Sequence, residues 1–170
     1  MSDGPTEPAG AGGSTEPAAG DELLPDRRTD QELRDIYRRV RTVVVVGASG
    51  DPGKPAHRIP RYLQSQGYRV LPVNPRGGEL LGEPVFGSVH EIEVPVDLVD
   101  VFRPPAEAET VARDAVAIGA PVLWFQPGTA TGAAARLAEQ AGLTVVVEEC
   151  LGAAHGRLGL GPGPPDPATD

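Results

Sequence analysis

Thr42-Val43-Val44-Val45-Val46 is a β-branched run with no apolar–polar alternation, and it leads directly into Gly47-Ala48-Ser49-Gly50-Asp51-Pro52-Gly53-Lys54. A strand with one wet face alternates; one that does not is buried on both faces, which implies a parallel sheet covered by helices. The rest of the chain fits that constraint. Apolar runs at 69–73, 97–102, 121–125 and 144–148 are expected strands, with a short one near 84–86. Between them lie segments of helical period, expected at 58–66, 106–118 and 133–141, closed by Gly67, Gly119 and Gly142. Pro60 should fall in the first turn of its helix, where its missing N–H costs nothing. Ahead of the first strand, Thr29-Asp30-Gln31-Glu32 reads as a capping box. Leu33, Ile36, Tyr37 and Val40 then form one apolar face. Alternating strands and helices predict an α/β fold, a Rossmann-like doubly wound, mostly parallel sheet with helices on both faces. In such sheets ligands sit beyond the carboxyl ends of the strands, where strand order reverses.

The flanks contribute little to a core. Residues 1–29 are rich in Gly, Ala, Pro, Thr and Glu, and residues 161–170 have no periodicity. Neither can bury enough apolar surface to offset the entropy of ordering it, so both are expected to be disordered tails around one domain at 30–160. The net charge of −9 sits mostly in them: residues 1–30 hold seven acids against two bases, and 161–170 add two acids. The folded part is therefore near neutral, with no basic footprint for nucleic acid. One cysteine, Cys150, fits a reducing compartment. No apolar run approaches membrane-spanning length, and the expected location is cytoplasmic. The sheet edges at the short third strand and the last strand are where a homodimer or other protein partner would pair; the sequence does not choose.

A loop joining the first strand to its helix gathers free N–H groups and the helix dipole near one point, a natural phosphate site. Gly47, Gly50 and Gly53 let backbone approach an anion closely. Ser49 offers a hydroxyl, and Lys54 is the only lysine among fifteen basic residues. The alternative is a structural turn with incidental glycines, since the spacing is neither G-x-G-x-x-G nor that of a P-loop. Sites for NAD place an Asp or Glu after the second strand to hold ribose hydroxyls. Asn74-Pro75-Arg76 stands there instead, which disfavours an NAD(P)-binding oxidoreductase or redox sensor.

The segments VVVVGASGDPGKPAHRIPRYLQSQGYRVLPVNP, GEPVFGSV, VDLVDVFRPP and LWFQPG, in that order, resemble the small stand-alone CoA-binding proteins. Their domain is similar to the CoA-binding domain of succinyl-CoA synthetase alpha subunits. The resemblance spans about Asp30 to Gly159 and implies coenzyme A as the ligand. It implies that Gly47, Ala48, Ser49 and Lys54 hold the phosphates, with Asn74 and Pro75 at the ribose and adenine side. Val101, Phe102 and Arg103 would flank the adenine, with Arg103 near the phosphates or the base; Gln126 and Gly128 would line the pantetheine path. Pro127 and the stretch Thr129-Ala130-Thr131-Gly132 depart from that pattern at the far end of the path.

The inventory for catalysis is thin. His57 reads as a helix-start residue beside the loop, and His90 as plain surface. His155 reads as a residue at an unpacked end of the fold, and a phosphohistidine role lacks the second domain it needs. Cys150 follows the last strand: it is a small residue against the sheet, or a thiol facing that of CoA and able to form a mixed disulfide. Glu148 and Glu149 beside it would raise its pKa. As neighbours on a strand, they point to opposite faces. Asp97 and Asp100 read as caps at the two ends of their strand, and no metal-ligand spacing is present. The expectation is a module that binds CoA or a short acyl-CoA without chemistry of its own. Two alternatives stay open: the nicotinamide-dependent one, and a subunit that borrows catalytic groups from another chain.

Overall fold

The structure, a computed structural model, describes residues 23–162. Besides two short 3-10 turns, at Val89–Glu91 and Pro105–Glu107, the described residues form twelve strands and α-helices: α1 (Asp30–Arg39), β1 (Thr42–Val46), α2 (Pro55–Ser65), β2 (Arg69–Val73), β3 (Glu79–Leu80), β4 (Glu83–Pro84), β5 (Leu98–Val101), α3 (Ala108–Ala117), β6 (Val122–Phe125), α4 (Gly132–Gln140), β7 (Thr144–Val146) and α5 (Leu151–Arg157). The main sheet has the order β2-β1-β5-β6-β7, every pair parallel. From β1 the chain moves outward to β2, then returns to place β5 on β1's other side. The order therefore reverses between β1 and β5, and the crevice opens past Val46 and Val101, which are register partners.

Alternate residues of each strand feed two cores. Val44, Val99, Val101, Leu123 and Phe125 pack under α3 and α4. Val43, Val45, Leu98, Trp124 and Val146 pack under α1, α2 and α5. This is why the valine run shows no alternation: both of its faces are inside. Thr29 makes the expected capping box with Glu32, and Tyr37 Oη donates to the Leu151 carbonyl at 2.5 Å, tying α1 to α5.

Four expectations change. Helix α2 begins at Pro55, not 58, because proline at the first helical position is preorganised for it; Pro60 therefore sits in the helix interior. The strand expected near 84–86 is split. Glu79–Leu80 and Glu83–Pro84 form a two-stranded antiparallel hairpin, and Phe86 alone bridges Val73. Strand β7 stops at Val146 because Glu148 turns into the left-handed region at φ 55°. Residues 23–29, expected with the tail, lie against the folded body. Leu24 packs on the α3/α4 core, Arg28 Nε donates to the Val145 carbonyl at 3.0 Å, and Arg27 donates to the Glu148 carbonyl. The remainder of the expected tails, 1–22 and 163–170, lies outside the described residues.

Candidate ligand-binding cleft

A cleft of about 610 Å³ opens at the strand-order reversal, walled by 47–50, Lys54, 74–77, the hairpin residues Glu79 and Leu80, and Arg103. Its floor is Gly47, at φ +90°. A Cβ there would come within 2.7 Å of Arg103 Cδ and 3.1 Å of the Phe102 carbonyl oxygen. Only glycine lets the Arg103 stem lie across the end of β1.

The loop holds itself together with most of its own donors. Gly47 N–H goes to the Val73 carbonyl, Ser49 N–H to Ala56 O, and Lys54 N–H to Asp51 O. Asp51 N–H goes to Ser49 Oγ and Gly53 N–H to Asp51 Oδ1. Among the described residues the N–H groups of Ala48 and Gly50 have no hydrogen-bond partner. They flank Ser49, whose hydroxyl proton also stays free to donate. Lys54, at the N-cap of α2, exposes its ammonium at the same rim.

Asn74 braces the opposite wall. Its Nδ2 donates to the Ala48 carbonyl at 2.9 Å, and its Oδ1 accepts the Arg76 N–H at 2.9 Å. The side chain expected to meet ribose is thus engaged at both ends, as a strut between two loops. Arg76 and Leu80, which the sequence reading did not single out, join the wall because Asn74 turns the chain back over the cleft. The only cue was the Asn-Pro-Arg-Gly-Gly turn signal. Arg103 is paired with Glu107 at 2.8 Å and also borders a second hollow of about 240 Å³, whose apolar side is Val46, Val73, Pro75, Val89 and Val111.

Other expected site residues fall elsewhere. Val101 is fully buried in the α3/α4 core, on the sheet face opposite the equally buried Asp100; Phe102 packs partly against the α1/α2/α5 core. Gln126 is buried and donates Nε2–H to Asp100 Oδ1 at 2.7 Å. Gly128 N–H is held by Glu148 Oε1 at 3.2 Å. Cys150 is the half-buried N-cap of α5, beyond β7 and away from the cleft walls.

The acids and histidines also sort themselves. Asp97 stands just before its own strand but caps the neighbouring one, accepting the Arg41 and Thr42 N–H groups at the head of β1, both at 2.9 Å. Asp100 is no cap: it is mid-strand and fully buried, with Oδ2 unpartnered. Burial pushes its pKa up to about 7, against the opposing hydrogen bond from Gln126. His155 is not at an unpacked end but 1% exposed, ringed by Tyr37, Tyr62 and Tyr68 with centroids 5.4–5.6 Å away. Its burial, relieved only by Tyr62 Oη at 2.8 Å from Nδ1, holds its pKa below the usual imidazole value. Such a ring cannot reach a phosphoryl donor. His57 Nδ1 lies 2.8 Å from the Ser49 carbonyl, and His90 pairs with Asp114. Among the described residues no group of His, Cys, Asp and Glu is placed to hold a metal, and no helix is long and apolar enough to cross a membrane.

A five-stranded parallel sheet whose order reverses between β1 and β5, with helices on both faces, is a Rossmann-like α/β fold. Residues 41–156 match the model of the CoA binding domain, and the chain belongs to that family. The uncharacterised protein YneT of Bacillus subtilis is 35% identical over 124 residues, covering 73% of this chain and 92% of its own. The solved structure of a Thermus thermophilus protein, cell-free ID.343, is 43% identical, with a TM-score of 0.74 over 77% of this chain and 99% of that one. An ADP-forming acetate–CoA ligase of Archaeoglobus fulgidus is 32% identical over 138 residues, but this chain spans only 20% of that enzyme.

Proposed function

We propose that the chain binds coenzyme A, or a short acyl-CoA, in the cleft at the end of β1 and performs no chemistry of its own. The observation that carries this reading is the convergence of the unpartnered Ala48 and Gly50 N–H groups with Lys54 and Arg76 on one polar cleft. Backbone donors in a glycine-rich loop that leads into a helix, with two exposed cations beside them, suit a pyrophosphate and a further phosphate. The adjoining apolar hollow, reached past Arg103, suits the adenine, and the open rim leads the pantetheine away from it. Gln126, Gly128 and Cys150 follow the carboxyl ends of β6 and β7, outside the cleft walls; a pantetheine arm crossing that edge would meet the exposed Gly128 and the half-buried Cys150, while Gln126 is turned inward to Asp100. The groups whose protonation burial perturbs, Asp100, His155, Tyr37 and Tyr68, sit inside the α1/α2/α5 side of the fold and do not wall the cleft. Binding, not turnover, is the role this arrangement supports.

Arg76 would equally suit the 2′-phosphate of a nicotinamide dinucleotide, so the test compares ligands. Calorimetric titration with CoA, NADH and NADPH should give saturable binding to CoA alone. Binding to a nicotinamide nucleotide in its place overturns the reading. Lys54→Ala should weaken CoA binding by roughly 1.5–3 kcal/mol, the loss expected of a charged contact. Wild-type affinity in that variant removes Lys54 from the phosphate site.

A further inference from the structure

Helix α2 carries a proline where a helix tolerates one least. Pro60 is the sixth residue of Pro55–Ser65, buried, and has no N–H to give to the carbonyl four residues back. That carbonyl belongs to Ala56. It is not left orphaned: the Ser49 N–H donates to it at 3.1 Å. One residue on, His57 Nδ1 stands 2.8 Å from the Ser49 carbonyl and donates to it. Both backbone groups of Ser49 are therefore tied to consecutive residues of α2's first turn. The tie at the N–H depends on an acceptor that an ordinary helix would have used.

We propose that Pro60 is a positioning residue for the glycine-rich loop: by withholding its N–H it hands the Ala56 carbonyl to Ser49 and fixes the loop's two free donors, Ala48 and Gly50, on either side. The ligand never touches Pro60. Its effect travels through one carbonyl, and it accounts for an interior proline that local helix preference opposes. Asn74 completes the clamp from the other wall by holding the Ala48 carbonyl. With Ser49 pinned at both ends and Ala48 at its carbonyl, the donors do not have to be ordered when an anion arrives, which is where preorganisation raises affinity.

The inference rests on the CoA-binding reading for its consequence but not for its geometry, and the test separates them. In the full chain, Pro60→Ala restores a donor at position 60 that competes for Ala56 O. The Ser49 amide should be protected from hydrogen exchange in the ligand-free wild type and should exchange at least tenfold faster in the variant. The thermal midpoint should stay at or above wild type, because alanine suits a helix interior. CoA affinity should fall about tenfold. A Ser49 amide that exchanges like an exposed loop amide in the wild type, or equally in both proteins, overturns the proposal, whatever the ligand proves to be. Unchanged CoA affinity with faster Ser49 exchange also overturns it, since the carbonyl would then not matter to the site. If the wild type binds no CoA, the functional reading fails while the exchange measurement still decides the clamp.

Discussion

Gly47 and Asp100 show how single positions constrain this molecule. Gly47 combines a left-handed φ with a neighbour at 2.7 Å from any Cβ. Gly47→Ala must strain its backbone by roughly 1–2 kcal/mol and displace Arg103 as well. A fall in melting temperature with loss of CoA binding is expected; an unaltered titration would show that the Arg103 stem gives way freely. Asp100 acts through protons. Burial keeps it protonated in the folded chain up to about pH 7, whereas an ordinary aspartate ionises near 3.8. The folded state thus binds the extra proton in that window, and the stability this gives is full below pH 4 and lost as pH rises to 7, by up to about 1.4 kcal/mol per unit. His155, held below its ordinary value, works oppositely: its share is lost as pH falls below 6.5. Asp100→Asn should abolish the decline between pH 4 and 7 in denaturant titrations and leave the acid-side loss from His155. A variant whose stability still falls over that window would assign the decline to another group. The cleft was legible at Gly47–Ser49, Lys54 and Arg103, because strand ends at an order reversal are where ligands sit. Val101 and Gln126 do not wall the cleft, for two reasons: in a strand buried on both faces no alternation tells which way Val101 points, and Gln126, just past β6, turns inward to the buried Asp100.

At the scale of elements, the valine run and the capping box carried most of what could be read. A β-branched strand needs two covering layers, and both cores are there. What stayed hidden was non-local. The start of α2 was obscured because Lys54 caps it with no side-chain bond, so the usual Ser, Thr or Asp signal is missing. The β3–β4 hairpin is two residues a side, too short for any period, yet it supplies Leu80 and Glu79 to the cleft. The interior Pro60 looked like a boundary marker because a helix alone gives no reason to keep it. Its reason lies in the loop that α2 serves. Local rules failed at the point where the element answers to the site and not to itself, as expected for a functional region.

For the molecule as a whole, the two outer strands face opposite problems and solve them with chain from elsewhere. On the β2 side, Phe86 exchanges hydrogen bonds with Pro72 and Asn74, at 3.0 and 2.9 Å, and covers the edge. On the β7 side, Arg28 takes the Val145 carbonyl, an acceptor an incoming strand would need, and Arg27 takes that of Glu148 in the turn just beyond the strand. The segment before α1 is thereby part of the domain. Composition hid this, since two leucines and two arginines around one proline and one aspartate give no periodic signal. Two shortened chains test it. A chain starting at residue 23 loses five acids and no base, and none of these contacts; it should melt with the full protein. A chain starting at residue 30 loses the Leu24 packing, both arginine bonds and the Thr29 cap. At about 1 kcal/mol for the cap and a similar amount per hydrogen bond, the loss is roughly 2–4 kcal/mol, a drop of several degrees in melting temperature. The exposed β7 edge should also make the shorter chain associate, visible as a concentration-dependent sedimentation coefficient. Equal melting and monomeric behaviour of the two would return the domain boundary to residue 30 and leave the arginine contacts without weight in the fold.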